Sequence, residues 1–255
     1  MDLNKFVAQL VLPKADSHKG ENGRVLVIGG SRLFHAASYW SATMASKIVD
    51  MVHFSSPAME NNELMRVKAK EKFWDGIVVP WEEVDHYIVE DDVILIGPGM
   101  ERGEETKQIV NELLKKYPGK KWVVDGGALQ ECDPSLLNKN MIVTPNIKEK
   151  EILGSKVPIG VTSLEKGPVD VITSGEETVE INGGNGGMTK GGTGDVLAGV
   201  VAGLYAKSPA MASCIGASQV NKLAGSVLEQ KVGPFFSAGD LIIEVQKVLG
   251  EMVRK

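Results

Sequence analysis

Short apolar runs alternate with amphipathic stretches along most of the chain. The runs consist mainly of valine, isoleucine and leucine, and most are followed within two residues by glycine, proline, serine or aspartate. Runs of this kind predict strands that are buried on both faces of a parallel sheet. The predicted strands cover residues 24–28, 51–54, 93–96, 122–124, 141–143, 169–172 and 178–181. The turn Ser174-Gly175-Glu176 separates the last two, which predicts a hairpin.

The stretches between these runs have the periodicity of helices. The predicted helices cover residues 2–12, 35–50, 61–72, 104–116, 148–153, 193–206, 209–230 and 237–249. Alternating strands and helices predict an α/β fold, with a doubly wound, mainly parallel sheet and helices on both of its faces. The sequence has no linker, internal repeat or low-complexity tract, so we expect a single domain over residues 1–255. Folds of this class bind ligands at the carboxyl ends of their strands.

A glycine-rich loop, residues 184–194, runs directly into the apolar segment 196–204. Such a loop at a helix start presents free backbone N–H groups and the positive end of the helix dipole, which favour an anion. Asp195 follows this predicted phosphate-binding loop, where a carboxylate repels phosphate unless it has another task, such as accepting a proton from an attacking hydroxyl. The structural alternative is a helix cap and a tight turn, for which Thr193 and Asp195 are common residue types. The loop matches neither a Walker-type nor a dinucleotide-binding glycine fingerprint.

The overall composition limits the classes of partner. Hydrophobic residues make up 43% of the sequence and charged residues 24%, which is typical of a globular protein. A net charge of −5 gives no electrostatic reason to expect nucleic acid or an anionic membrane as a partner. The two cysteines are far apart and lack metal-ligand spacing, so we expect neither a disulfide framework nor a zinc site. The first ten residues lack the order of a signal peptide and no apolar run reaches membrane-spanning length, so we expect a cytoplasmic protein.

Four further positions are candidates for chemistry, and each has a structural alternative. Asn146 and Glu149 are spaced so that both side chains lie near the first turn of a helix, where their oxygens suit Mg²⁺ and its water shell. A helix-capping box has the same spacing. Asp125 follows a predicted strand and is either a turn former or a polar residue of the site. Lys190 lies in the glycine loop, where it either pairs with a phosphate or is solvated.

Four segments, taken in order, resemble the NAD(P)H-hydrate dehydratase branch of the ribokinase-like superfamily. They are residues 16–31, DSHKGENGRVLVIGGS; residues 96–99, IGPG; residues 143–149, VTPNIKE; and residues 184–199, GNGGMTKGGTGDVLAG. The first and last segments are specific to the family, and the four together span nearly the whole chain. The family often carries an epimerase domain ahead of this one, for which 255 residues leave no room, so we expect a separate epimerase protein.

The resemblance implies a repair reaction with defined site residues. A nicotinamide ring that has added water is phosphorylated on its new hydroxyl by ADP or ATP, and loss of phosphate restores NADH or NADPH. The resemblance implies Asp195 as the base and as a contact of the hydrated dinucleotide. Glu149 matches the family's glutamate, and its residue type and spacing lead us to expect that it holds Mg²⁺ through water. The implied phosphoryl-binding residues are Gly191, Gly192, Thr193 and Gly194. The implied substrate-binding residues are Ala36, Ala37, Gly97, Gly99 and Asn146. The implied nucleotide-binding residues are Ser174, Gly175, Thr178, Asn185, Lys190 and Gly194.

The sequence also departs from the family pattern. Thr173-Ser174-Gly175 stands where the family has Leu-Lys-Gly near the nucleotide, so we expect that lysine to be absent. Either Lys190 then replaces it or affinity for the nucleotide is lower. Residues 125–129 are less acidic than in the family, and residues 154–168 look shortened and irregular. Asn146 stands where this branch usually has histidine, and it resembles the kinase branch equally.

Three hypotheses follow. The first is a dehydratase that uses ADP, with ATP as the alternative donor, and the family implies that it is a homotetramer. The alternative is a small-molecule kinase of the same fold, similar to hydroxyethylthiazole kinases or sugar kinases, which leaves its phosphate in place. Residues 16–37 favour the dehydratase. The third is a binding protein without catalysis, which the absent lysine favours and Asp195 opposes.

Overall fold

The computed structural model describes residues 4–71, 75–154 and 157–252. Its strands form one sheet. The nine strands in these ranges are β1 (Arg24–Ile28), β2 (Met51–Ser55), β3 (Ile77–Val78), β4 (Val93–Ile96), β5 (Lys121–Val124), β6 (Met141–Val143), β7 (Thr162–Glu165), β8 (Val169–Ser174) and β9 (Glu177–Asn182). The α-helices are α1 (Asn4–Val7), α2 (His35–Ala45), α3 (Met59–Glu71), α4 (Val84–Glu90), α5 (Glu104–Lys116), α6 (Gly126–Glu131), α7 (Ile147–Leu153), α8 (Thr193–Tyr205), α9 (Ala210–Val232) and α10 (Ala238–Met252).

The strands lie in the order β3-β2-β1-β4-β5-β6-β7-β8-β9. Strands β1 to β7 are all parallel, so their carboxyl ends share one edge of the sheet. Strands β8 and β9 extend the sheet in antiparallel fashion and form the predicted hairpin, with Thr173 paired to Thr178. The prediction of a doubly wound, mainly parallel α/β fold is confirmed.

Successive strand residues point to opposite faces of the sheet, and each face is covered by helices. Val25 and Val27 pack with α2, α8, α9 and α10 on one face. Leu26 and Ile28 pack with α4, α5, α6 and α7 on the other. Continuous apolar runs in the central strands are therefore explained by burial on both faces, as the sequence indicated.

Several elements differ from the prediction. Strand β7 lies within residues 154–168, which were predicted to be irregular; two of these, residues 155 and 156, lie outside the described ranges. The prediction missed β3, α4 and α6, all of which are short. Helix α1 ends at Val7 rather than at residue 12, and residues 2, 3 and 72 of the predicted helices lie outside the described part of the chain. Within that part, no helix is both long and apolar enough to cross a membrane.

Candidate active site

Three neighbouring strands deliver polar side chains to the carboxyl edge of the sheet. Asp125 follows β5, Thr144 follows β6 and Lys166 follows β7. The Asp125 carboxylate is buried, and its Oδ1 accepts hydrogen bonds from Lys166 Nζ at 2.7 Å and from Thr144 Oγ1 at 2.7 Å. Because charged and hydroxyl donors converge on one buried oxygen, this cluster holds the Lys166 ammonium in a fixed place.

Helix α8 begins beside this cluster with a backbone shape that requires glycine. Gly192 caps the helix with φ of +96°, and a Cβ there would lie 2.4 Å from the Trp40 ring and 2.7 Å from the Ala238 Cβ. Thr193 Oγ1 donates to the carbonyl oxygens of Met188 at 2.6 Å and Lys190 at 2.8 Å, which fixes the first turn. The first N–H groups of α8 have no acceptor within the helix, so this end of α8 favours an anion.

Two cavities meet at the start of α8. One has a volume of about 710 Å³, and its walls include Asn146, Lys166 and Gly194. The other has a volume of about 520 Å³, and its walls include Gly99, Arg102, Gly127 and Asp195. We name them the nucleotide cavity and the ring cavity, after the ligands proposed for them below. Gly194 and Asp195 are consecutive but face different cavities, so the Asp195 carboxylate lies at their boundary.

The surroundings of Asp195 change its acidity. Burial raises the pKa of Asp195, the Asp125 carboxylate raises it further, and the Lys166 ammonium lowers it, with a resulting pKa of about 7. The Glu149 carboxylate also raises it. A carboxylate with a pKa near neutrality is suited to accept a proton from a hydroxyl and to release it afterwards.

Lys166 carries its charge towards the start of α8. Burial alone lowers the pKa of Lys166, but Asp125, then Glu149 and Asp195, outweigh burial and raise it above its ordinary value. A methyl group built on Gly194 would lie 3.7 Å from Lys166 Nζ. The ammonium and the first turn of α8 therefore face one another across the nucleotide cavity, where both favour a phosphate.

Residues 25–247 match the model of the NAD(P)H-hydrate dehydratase family. The chain belongs to this family. The bifunctional NAD(P)H-hydrate repair enzyme of Methanocaldococcus jannaschii is 34% identical over 244 residues, which cover 92% of this chain and 50% of that protein. The ADP-dependent (S)-NAD(P)H-hydrate dehydratase of Nitrosopumilus maritimus is 31% identical over 264 residues, which cover 92% of this chain and 91% of that protein. This chain spans about half the length of the bifunctional relative.

Solved structures agree with the fold. A ribokinase-like superfamily protein of Enterococcus faecalis superposes with a TM-score of 0.83 at 23% identity, over 99% of this chain and 95% of that one. The ADP/ATP-dependent NAD(P)H-hydrate dehydratase of Bacillus subtilis, co-crystallised with ATP and Mg²⁺, superposes with a TM-score of 0.78 at 19% identity, over 98% and 97% of the two chains. The resemblance to the NAD(P)H-hydrate dehydratase branch of the ribokinase-like superfamily is confirmed.

A lysine does line the nucleotide cavity, although the lysine of the family pattern was expected to be absent. Lys166 is followed by Gly167, comes directly after β7 and lines the nucleotide cavity. The family's Leu-Lys-Gly was expected at Thr173-Ser174-Gly175, because strand β7, which precedes Lys166 and Gly167, was not recognised in the sequence. That strand has the letters TSLE, in which buried and partly exposed positions alternate, so it lacks a continuous apolar run.

The predicted nucleotide-binding residues of the hairpin lie elsewhere. Ser174 pairs with Thr162 at the start of β7, so the β8–β9 turn occupies the amino edge of the parallel strands. Ser174, Gly175 and Thr178 are accordingly far along the strands from the carboxyl edge and do not line the nucleotide cavity. Lys190 does not line it either. Its Nζ donates to the carbonyl oxygens of Pro234 and Phe236, so it anchors the segment before α10.

Asn185 does lie in the nucleotide cavity. Its Nδ2 donates to the Gly225 carbonyl at 2.7 Å and its Oδ1 accepts from the Gly187 N–H at 2.8 Å. The side chain therefore fixes the shape of the glycine loop against α9. Gly191 lines neither cavity, and a Cβ on it would meet no atom within 4 Å.

Asn146 and Glu149 form a capping box at the start of α7. Asn146 Oδ1 accepts from the Glu149 N–H at 3.0 Å, and Glu149 Oε2 accepts from the Asn146 N–H at 2.8 Å. Glu149 Oε1 also accepts from Gln130 Nε2 at 3.0 Å. The structural alternative for this spacing is therefore realised, while Asn146 lines the nucleotide cavity as well.

The predicted substrate-binding residues fall into two groups. Ala37 and Gly99 line the ring cavity. Gly97 stands behind it with φ of +117°, and a Cβ there would lie 1.8 Å from the Asp125 carbonyl oxygen, so Gly97 allows β4 and β5 to end close together. Ala36 lies in the first turn of α2 but does not line the cavity.

Two residues of α9 in the nucleotide cavity were missed. Lys222 is buried, donates to the carbonyl oxygens of Gly167 and Gly183 at 2.9 and 3.1 Å, and lies 3.3 Å from Asp170 Oδ1. Asn221 is buried, and its Oδ1 has no hydrogen-bond partner in the described chain. In the sequence, this wall of the nucleotide cavity is indicated only by the adjacent polar residues Asn221 and Lys222 within the helix.

Proposed function

We propose that this protein dehydrates hydrated NADH or NADPH, with an adenine nucleotide as phosphoryl donor. Its membership in the NAD(P)H-hydrate dehydratase family supports this function. The observation that carries the proposal is the position of Asp195 between the two cavities, with Gly194 facing one and Asp195 the other. A hydroxyl in the ring cavity and a phosphate in the nucleotide cavity then meet at the start of α8.

The first step is phosphoryl transfer. Asp195 accepts the proton of the ring hydroxyl, and the hydroxyl oxygen attacks the terminal phosphorus of the nucleotide. The bond from that phosphorus to its bridging oxygen breaks, so ADP leaves AMP, or ATP leaves ADP. Lys166 and the N–H groups of α8 stabilise the charge that develops on the phosphoryl oxygens.

The second step is elimination. The ring nitrogen beside the phosphorylated carbon donates its electron pair as the carbon–oxygen bond breaks and phosphate departs. The neighbouring carbon then loses a proton, which restores the reduced nicotinamide. Phosphate is a good leaving group, so the protein mainly has to catalyse the phosphoryl transfer, by positioning and by charge stabilisation. The net reaction is that of a lyase, because water leaves the ring.

A divalent cation fits this site when it arrives with the nucleotide. Asp125, Glu149 and Asp195 share one nearby ammonium, Lys166, so a nucleotide adds negative charge where acids already predominate. Among the described residues, no three aspartate, glutamate, histidine or cysteine side chains converge on one point that could hold an ion. Mg²⁺ bound to the nucleotide phosphates would offset their charge, with Glu149 in contact through water.

ADP is the proposed donor. The Nitrosopumilus maritimus relative, which this chain matches over 91% of that protein, is named as ADP-dependent. Incubation with hydrated NADH, Mg²⁺ and ADP should release AMP and inorganic phosphate in a ratio of one to one. A stable phosphorylated acceptor without free phosphate would instead indicate a kinase of the same fold.

We further propose a homotetramer that works beside a separate epimerase. Leu33 and Phe34 are exposed apolar side chains that line the ring cavity, which supports association of copies there. The Methanocaldococcus jannaschii relative is named as bifunctional, which supports an epimerase as its companion activity. Light scattering that shows a monomer would contradict the tetramer.

A further inference from the structure

A third cavity, of about 460 Å³, adjoins the ring cavity and takes no part in the proposed reaction steps. Its walls are Arg32, Glu60, Asn61, Glu63, Leu64 and Val67. Arg32 and Leu33 are consecutive in the loop after β1, and Leu33 lines the ring cavity. The two cavities are therefore neighbours, with Arg32 near their boundary. Its size lies in the range of small-molecule sites.

The walls combine apolar surface with charges of both signs. Leu64 and Val67 are exposed and lie one turn apart on α3, so they form one apolar face. The side chains of Arg32, Glu60 and Glu63 form no hydrogen bond or ion pair with any other residue that the structure describes. These three charges are thus free to bind a ligand.

Asn61 gives independent support for a ligand. It is 3% exposed and lines the cavity, and its Nδ2 has no hydrogen-bond partner within the described residues. Its neighbour Asn62 is also buried, but its Oδ1 accepts from the Ser56 N–H and its Nδ2 donates to the Ser56 carbonyl oxygen, each at 2.9 Å. A buried amide without a partner is costly, so Asn61 indicates a missing acceptor.

The proposed substrate has a second half that needs a site. A hydrated nicotinamide and its ribose occupy the ring cavity beside Asp195, and a diphosphate joins them to an adenosine. We propose that the third cavity binds this adenosine half, and that Glu60 and Glu63 select hydrated NADH over hydrated NADPH. This inference rests on the proposed function, which it extends from the reacting ring to the whole dinucleotide.

Each part of the adenosine half meets a suitable group. Leu64 and Val67 offer apolar contact for the base, and the buried Asn61 amide lies in the wall of the same cavity. Arg32 pairs with the linking diphosphate as it leaves the ring cavity. A glutamate accepts hydrogen bonds from ribose hydroxyls, whereas a 2′-phosphate adds two negative charges beside two carboxylates.

The test compares kcat/KM for the two hydrates. The wild type should prefer hydrated NADH, and the double variant Glu60→Gln/Glu63→Gln should raise kcat/KM for hydrated NADPH roughly tenfold relative to hydrated NADH. Glu180→Gln/Glu229→Gln removes the same charge from exposed positions outside the three cavities and should leave the ratio unchanged. An unchanged ratio in the first variant, or an equal change in the control, would overturn the inference.

A binding measurement separates this inference from the proposed function. Titration with the reaction products NADH and NADPH, followed by nicotinamide fluorescence, requires no turnover. Arg32→Gln should weaken the binding of both products at least severalfold. Glu60→Gln/Glu63→Gln should strengthen the binding of NADPH and leave that of NADH unchanged. Absence of turnover with either hydrate would contradict the proposed function. Product affinities that are the same in the wild type and in both variants would contradict the adenosine site.

Discussion

Lys166 Nζ lies 2.7 Å from Oδ1 of Asp125, where β7 and β5 end side by side. The buried carboxylate of Asp125 keeps the ammonium charged and directs it towards the start of α8. The two residues act on Asp195 in opposite directions, since Asp125 raises its pKa and Lys166 lowers it. The acidity of the proposed base is thus set by an ion pair on neighbouring strands.

Replacement of the proposed base should stop the reaction. Asp195→Asn keeps the size of the side chain but cannot accept the hydroxyl proton, so kcat should fall by about 10² to 10⁴. The variant should retain its circular dichroism spectrum and its affinity for ADP, which checks the fold and the nucleotide cavity separately. Activity similar to that of the wild type would remove Asp195 as the base.

The pH dependence of kcat/KM should report the same group. Asp195 must be deprotonated to act, and its pKa is about 7. The rate should therefore rise about tenfold per pH unit well below pH 7 and level off above it. Asp125→Asn should move the inflection to lower pH, because it removes a negative charge that raises the pKa of Asp195. A shift to higher pH would contradict this electrostatic account.

The same pKa predicts an effect on stability. The pKa of Asp195 is raised in the folded protein, so the unfolded chain holds fewer protons between about pH 4 and 7 and the free energy of unfolding falls as the pH rises through this range. Asp195→Asn removes this contribution of Asp195 to the pH dependence of the free energy of unfolding. Urea unfolding should show the variant gaining stability over the wild type from pH 5 to pH 8, and a constant difference would contradict the raised pKa.

Two lysines near the glycine loop should behave differently. Lys166→Met removes the ammonium that faces α8 and should lower kcat/KM for ADP by about 10²-fold or more. Lys190→Met is the matched control, because Lys190 bonds carbonyl groups before α10 and does not line the nucleotide cavity. It should change stability more than catalysis. Equal losses of activity in both variants would contradict the assignment of Lys166.

Two adjacent glycines offer a test of the helix start. A Cβ on Gly192 would collide with the Trp40 ring at a positive φ, so Gly192→Ala should destabilise the protein by about 1–3 kcal/mol. A Cβ on Gly191 would meet no atom within 4 Å, so Gly191→Ala should change stability by less than about 0.5 kcal/mol. Thermal unfolding of both variants measures the difference, and equal midpoints would contradict this packing.

The sequence predicted the buried part of the fold well. Strands β4 and β6 and helix α5 have the predicted boundaries, because their apolar runs or helical spacing are unbroken. Strand β7 was missed because its four residues alternate in burial, which does not produce a continuous run. A strand that is buried on both faces has a continuous apolar run and is recognised from the sequence, whereas a strand with alternating burial is not.

The site was predicted in part, since only some of its contacts are local in sequence. Asp195 and the glycine loop were singled out because a carboxylate beside a predicted phosphate-binding loop is unusual within one short segment. Lys166 depends on β7 being parallel to β6, and Lys222 on how α9 packs against two loops. Contacts between distant segments of the chain leave no such local pattern.

Recovery of reduced-nicotinamide absorbance tests the central claim most directly. Purified protein, hydrated NADH and Mg²⁺ are incubated with ADP, with ATP or without nucleotide, and Asp195→Asn is the control. The account predicts recovery of the absorbance with ADP, none without nucleotide and none with the variant. No recovery with either nucleotide, in protein that binds both, would contradict a dehydratase whose base is Asp195.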